Sequence, residues 1–310
     1  MSTLKTLKDS SPDGATRAAP GDDSPVSSAA PPSNNEGRAD EGRGEPSRLG
    51  TLARSGLSSL GWGLVGAAVV AALWQIGATA APGVPKPGES FGKFFDLVSD
   101  PFYNNGPNDK GIGLQLLISL QRVFTGFAIA AMIGVPLGLM MGSSRRMWKA
   151  ANPIVQFLRP VSPLAWFPIW LVAFKDGGKA SVFVIFITAL WPTVLNTAAG
   201  AAGIPSDQRD VARVFRFGRP AYFRHVLLPN ALPSIVTGLR LSMGIAWMVI
   251  VAVEMLAGGA GIGFFVWDSY NASNMPAVIA SLLIIGAVGF ALDAVFMRLA
   301  AKVAIEEVRS

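Results

Sequence analysis

The sequence predicts an all-α, polytopic membrane protein with six transmembrane helices. Three observations carry that prediction. Of 310 residues, 51% are hydrophobic and only 15% are charged, well under the roughly 25% of a soluble domain. The apolar residues gather in six long runs, which is the membrane pattern. The basic residues collect in alternate loops, as they do on the cytoplasmic side of a bilayer.

Residues 1–50 are rich in Ser, Pro, Gly, Asp and Glu and nearly free of large apolar side chains. They are expected to form a disordered cytoplasmic tail. With no apolar h-region near Met1, they are not read as a signal peptide. The first span, LGWGLVGAAVVAALWQIGATAA (60–81), is uncharged and can cross a hydrocarbon core of about 30 Å. A polar stretch, 82–112, precedes the second span, 114–142. Basic SSRRMWK (143–149) leads into the third, about 150–174, and KDGGK (175–179) turns the chain into the fourth, 180–203. The fifth covers 231–259 and the sixth 275–301, with a polar, basic segment, 204–228, ahead of the fifth. Arg145, Arg146, Lys149, Arg209, Arg213, Arg216, Arg219 and Arg224 fall on one side, as do Arg298, Lys302 and Arg309. Both termini and the 204–228 segment are therefore expected in the cytoplasm.

Several function classes are disfavoured. There is no cysteine and one histidine, His225, so disulfides, thiolate metal sites and most triads have no residues to build them. No carboxylate cluster or nucleophile–base pair suggests catalysis, and no metal ligand set is expected. The net charge of +6 follows the loops on one side of the membrane and does not imply nucleic acid. No G-x-x-x-x-G-K-[ST] motif occurs, so the chain should not hydrolyse ATP itself.

The stretch IPSDQRDVARVFRFGRPAYFRHVLLPNALPSI (204–235) is basic and aromatic. Taken alone it reads either as a positive-inside anchor or as a helix that docks into a partner's groove. It resembles the coupling segment of type I ABC importer permeases, whose pattern is Glu-Ala-Ala, three residues, Gly, nine residues, Ile-x-Leu-Pro. Asp210-Val211-Ala212 takes the first place and Val226-Leu227-Leu228-Pro229 the last, with the spacing kept. The family glycine falls on Arg216, and Gly218 comes two residues late. The resemblance covers about 55–305. LRPVSPLAWFP, FVIFITALWPTVLNTAAG, LPNALPSIVTGLRLSMGIAW and GIGFFVWDSYN are similar to the nitrate, sulfonate and taurine permease group. ALWPTVLNTAAG and FVWDSYN lean toward its nitrate branch.

That resemblance implies a type I permease fold over 55–305 in a bacterial inner (plasma) membrane. It implies a second permease copy, by default a homodimer, and two cytoplasmic ATPase subunits that bind ATP and Mg. A periplasmic or lipid-anchored binding protein would deliver a small inorganic anion. This chain would bind no cofactor. The cargo is expected to be nitrate or nitrite, with sulfonate, taurine, cyanate or bicarbonate as alternatives. The coupling contacts would fall on Asp210, Ala212, Arg213, Phe215, Arg216, Phe217, Gly218, Phe223, Leu228 and Pro229. An ATP-independent secondary transporter is the competing class, but paired broken helices in two inverted halves are not evident.

Residues inside the spans suggest a path. RPVSPLAWFPIW (159–170) carries Pro160, Pro163 and Pro168. Proline breaks helices, and broken helix survives in a membrane only where neighbours or water satisfy the freed carbonyls. This segment is therefore expected to be bent and to lie inside the bundle. Pro163, Trp166, Trp191, Asn196, Arg240, Trp247 and Glu254 are candidate path residues; interfacial anchoring is the alternative for Trp166 and Trp191. Arg122, Arg240, Glu254 and Asp293 are the ionisable groups within spans. Positions 240, 244, 247, 251 and 254 share one helix face, with the two charges about 21 Å apart. Either that face lines the path or the permease contact, or each charge pairs with another helix. Asp293 reads as a structural partner near the inner membrane face. GGAGIG (258–263) reads as a tight outer turn. Trp267, Asp268 and Tyr270, just after it, are candidates for an outer gate or a binding-protein contact.

Overall fold

The computed structural model describes residues 48–81, 83–106 and 109–309, with side chains between 61 and 301. Up to residue 47, the expected tail lies outside the described residues. Contacts divide the chain into Met1–Leu60 and Gly61–Ser310. Of the first unit, only the beginning of a helix is described.

Among the described residues the structure is helical, with no strand beyond one isolated bridge, Asn104 to Lys110. The helices are α1 (Arg48–Ala80), α2 (Pro87–Ser99), α3 (Ile112–Ser143), α4 (Arg145–Leu158), α5 (Pro163–Phe174) and α6 (Gly177–Ala202). They are followed by α7 (Ser206–Val214), α8 (Arg219–Tyr222), a π-helical turn (Phe223–Leu227), α9 (Leu228–Ala257), α10 (Ile262–Asn271) and α11 (Met275–Arg309). Five segments are long and apolar enough to cross a membrane: Gly61–Ala80, α3, α6, Arg219–Ala257 and Met275–Ala301.

The third expected span, about 150–174, is not one helix. It is α4 followed by α5, bent by 91°. The prolines account for the break. Pro160 sits in the turn between the two helices, and Pro163 is the first residue of α5, where its missing N–H leaves no bond unmade. Phe167 of α5 is buried against Ala180, Val184 and Val253, which fixes α5 on α6 and α9. The polar 82–112 stretch holds a helix that the reading of it as a loop did not anticipate: α2 tucks Phe94 and Leu97 against the main core.

The centre of the fold is α3, α6 and α9. Gly126, Ala130, Gly134, Gly138 and Gly142 lie four residues apart on one face of α3. Gly126 meets Val182 and Ile185, Gly134 meets Thr193, and Gly138 meets Val194 and Thr197. Both helices advance together along this seam, so they run in the same direction. Small residues let the two backbones approach, which is how helices associate where lipid removes the hydrophobic drive. The α6–α9 pair is antiparallel: Gly200 meets Ser234, and Gly238 meets Asn196. Thr193 Oγ1 and Ser242 Oγ lie 2.8 Å apart between these helices, buried, and Ser242 Oγ also donates to Ala189 O.

The turn into α6 is capped. Lys175 takes a left-handed conformation, and the Asp176 carboxylate accepts from Lys179 N at 2.9 Å. That backbone bond holds the Asp176 carboxyl below its ordinary pKa, against a smaller opposing effect of desolvation.

Candidate functional site

Two regions carry functional groups: the 204–228 segment at one end of α9 and a buried polar cluster at the other. In the first, α7 and the π-helical turn are joined through α8. Their inner face is anchored. Ile204, Ala212, Val226 and Leu227 are buried with Leu139 of α3, Ala201 of α6, and Ala231 and Ile235 of α9. Arg209 Nη2 donates to Ala202 O at 2.7 Å, a cation satisfying the last carbonyls of α6. Asn230 Nδ2 donates to Gln208 Oε1 at 2.7 Å, tying α9 to α7.

The opposite face is apolar and uncovered. Val214 is 78% exposed and Phe215 71% exposed, and Val211, Phe217 and Phe223 of the same segment are exposed too. Phe215, Phe217 and Phe223 were expected here; Val211 and Val214 were not. Their signal was the α7 spacing: Val211 and Val214 stand three apart, with Ala212 turned to the other face. Asp210 and Arg213 are exposed and pair with each other at 2.8 Å. Leu228 and Pro229 open α9.

Arg216 explains the displaced glycine. Among the described residues it is one of three non-glycine residues with positive φ, at 50°. Arg216 N donates to Arg213 O and Phe217 N to Ala212 O at 2.9 Å, closing the end of α7 as a left-handed cap. The turn thus stays where the family pattern puts glycine, while Gly218 has φ −64° and needs no special freedom. Arg216→Gly is expected to stabilise the chain by about 0.5–1 kcal/mol, the left-handed penalty less the entropy glycine adds to the unfolded chain. A higher melting midpoint checks it; a lower one would mean the side chain contributes more than the backbone strain costs.

At the other end, Glu254 is fully buried. Arg122 Nη1 donates to Glu254 Oε1 at 2.8 Å and to Ala260 O at 2.6 Å. Ser119 Oγ lies 2.7 Å from Glu254 Oε2, and Gly263 N donates to the same oxygen at 3.1 Å. Gly261 N donates to Gln115 Oε1 at 2.6 Å, and Ile262 N to Ser119 Oγ at 2.8 Å. Gln115, Ser119 and Arg122 are spaced i, i+4, i+7, so one face of α3 receives the start of α10. The orphan N–H groups of α10 and the Arg122 cation together neutralise a carboxylate that lipid would otherwise reject. Gly261 has φ 137° and lies against the Glu254 carboxylate, so both backbone and space demand glycine there.

The shared face of α9 meets other elements at Arg240, Trp247 and Glu254, while Gly244 between them is exposed. Arg240 makes a bidentate pair with Asp293 of α11, at 2.6 and 2.8 Å. Trp247 is buried, donates to Ile285 O at 3.1 Å and packs on Gly289. Each of the two charges is thus paired with a different helix, Arg240 with α11 and Glu254 with α3. Asn196 Nδ2 donates to Pro192 O at 2.8 Å within α6. Pro163, Trp166 and Trp191 are half-buried. On α10, Trp267 and Tyr270 stack at 5.7 Å, both exposed, with Asp268 exposed between them.

Comparisons with known proteins place the chain as a whole. A profile of the family described as "Binding-protein-dependent transport system inner membrane component" matches residues 134–305. The chain is 46% identical over 230 residues to the nitrate import permease protein NrtB of Synechocystis sp., covering 74% of this chain and 84% of that one. It is 45% identical over 226 residues to the bicarbonate transport system permease protein CmpB of Synechococcus elongatus, covering 71% and 81%. Among solved structures it resembles a chain of the MetNI methionine ABC transporter, with a TM-score of 0.56 at 18% identity, covering 62% of this chain and 95% of that one. That last likeness is one of fold.

Proposed function

The chain belongs to the family of binding-protein-dependent transport system inner membrane components, and on that premise we propose that it moves nitrate or nitrite across the bacterial inner membrane as the permease subunit of an ABC importer. The observation that carries the anion is the 46% identity to NrtB across 84% of that protein's length. Bicarbonate is the second reading, on the 45% identity to CmpB. Both ions are planar monoanions with three oxygens, so one kind of path suits either. Uptake of isotopically labelled nitrate by cells that depend on this chain should be ATP-dependent and resist a bicarbonate excess. Uptake of labelled bicarbonate instead, with nitrate ignored, would overturn the assignment.

In this mechanism separate ATPase subunits supply the energy, and 204–228 receives it. The exposed Val211, Val214 and Phe215 seat in a groove of the ATPase, and the buried Ala212, Val226 and Leu227 pass displacement to the inner ends of α3, α6 and α9. From Arg219 to Ala257 the chain is one 39-residue span, about 58 Å long at helical rise. It links the docking face to Glu254 and the outer turn, so a push at one end reaches α10 at the other. A second copy of the chain completes the path, both termini lie in the cytoplasm, and stacked Trp267 and Tyr270 meet the delivering protein.

Phe215→Asp tests the docking face. Loss of a central aromatic anchor costs about 2 kcal/mol, roughly thirtyfold in affinity, while an exposed position spares the fold. Retention of the ATPase on the purified permease should fall accordingly, with the melting midpoint unmoved. Undiminished retention would move the docking face elsewhere.

A further inference from the structure

A cleft of about 590 Å³ opens between the inner ends of α3 and α6 and the α7–α8 bend. Arg209, Arg213 and Arg216 line it, with Ser143 and Tyr222, and no carboxylate is among its lining residues. Asp210 offsets one of the three charges through Arg213. Two features are unexplained by packing. Arg209 Nε is buried without a hydrogen-bond partner among the described residues, so this guanidinium keeps donor capacity beyond its bond to Ala202 O. Arg216 lines the cleft from a left-handed backbone that glycine adopts freely and arginine does not.

Three arginines line one cleft with a single carboxylate paired to one of them, and guanidinium matches an oxyanion through paired, charge-assisted hydrogen bonds. We propose that this cleft is a binding site for a phosphate-type oxyanion, held by Arg209, Arg213 and Arg216 at the joint between the coupling segment and the inner ends of α3 and α6. The cleft lies where these helices leave the membrane, so the phosphate can come from a free ion or from the headgroup of an anionic phospholipid. A neighbouring cavity of about 410 Å³, lined by Met141, Trp148 and Ala198 with Arg145 and Lys149 at its rim, gives an acyl chain somewhere to lie. Occupied, the cleft ties α7 to α3 and α6. Binding does not rest on the transport reading; only its effect on coupling does.

The full-length chain in phosphatidylcholine nanodiscs separates the sources. One arm adds inorganic phosphate against sodium chloride of matched ionic strength; the other replaces part of the lipid with phosphatidylglycerol. A rise in melting midpoint in the first arm identifies a free anion, and a rise in the second alone identifies a headgroup. Arg209→Gln and Arg216→Gly should each raise the phosphate or phosphatidylglycerol level needed for a given rise by about tenfold, as expected for losing one charge-assisted contact. Because Arg216→Gly relieves the backbone, its lost response cannot be put down to misfolding. No rise in either arm, or an equal rise in Arg216→Gly, overturns the proposal.

Discussion

Glu254→Ala is expected to destabilise the chain by about 3–5 kcal/mol, the cost of removing one member of a buried ion pair. The change strands the Arg122 cation and Gly263 N, which now meet at one carboxylate. A simple ion pair could be replaced by two apolar residues at little cost. Here Glu254→Leu combined with Arg122→Leu should not recover stability, because Gly263 N and Ala260 O stay unpaired in an apolar setting. The melting midpoint in detergent should drop for the single and the double variant alike. Faster proteolysis within 258–263 would place the damage at the turn between α9 and α10. A double variant as stable as the parent would reduce the cluster to a dispensable ion pair.

Gly138→Val should separate α3 from α6. A Cβ at residue 138 would lie 2.6 Å from Thr197 Cβ and 2.7 Å from Val194 O. A carbonyl of the α6 backbone cannot rotate away, so the helices must part, and overpacking of this kind costs about 1–3 kcal/mol. Gly244→Val is the contrast: a Cβ there meets nothing within 4 Å, so the stability of the single chain should hold. The pair distinguishes close approach from a general intolerance of glycine replacement in spans. Equal losses at both positions would remove the seam as the cause.

The spans were legible because lipid demands long apolar runs, and loop charges ordered them. What a one-dimensional pattern lacks is the identity of the partner helix. Arg122 and Glu254 were each visible as costly charges within spans, yet nothing along the chain joins residues so far apart in sequence. Gln115 and Ser119 passed unnoticed because polar residues at i, i+4, i+7 look ordinary until the start of α10 faces them. The small residues every four positions from Gly126 to Gly142 were readable as a contact face, though not as one for α6. At Arg216 the family pattern puts a glycine that this chain lacks. Two backbone hydrogen bonds hold the bend there regardless of the side chain. Three prolines forecast a bent third span, but only the packing of Phe167 onto α6 and α9 sets the angle.

The sharp bend between α4 and α5 also bears on biogenesis. At helical rise the two pieces measure about 21 Å and 18 Å, each short of the roughly 30 Å hydrocarbon thickness. Neither piece can be released into lipid by itself as it leaves the insertion machinery. α5 finds its depth only once α6 has been synthesised and Phe167 has somewhere to pack, so these neighbouring segments must enter the bilayer as a group.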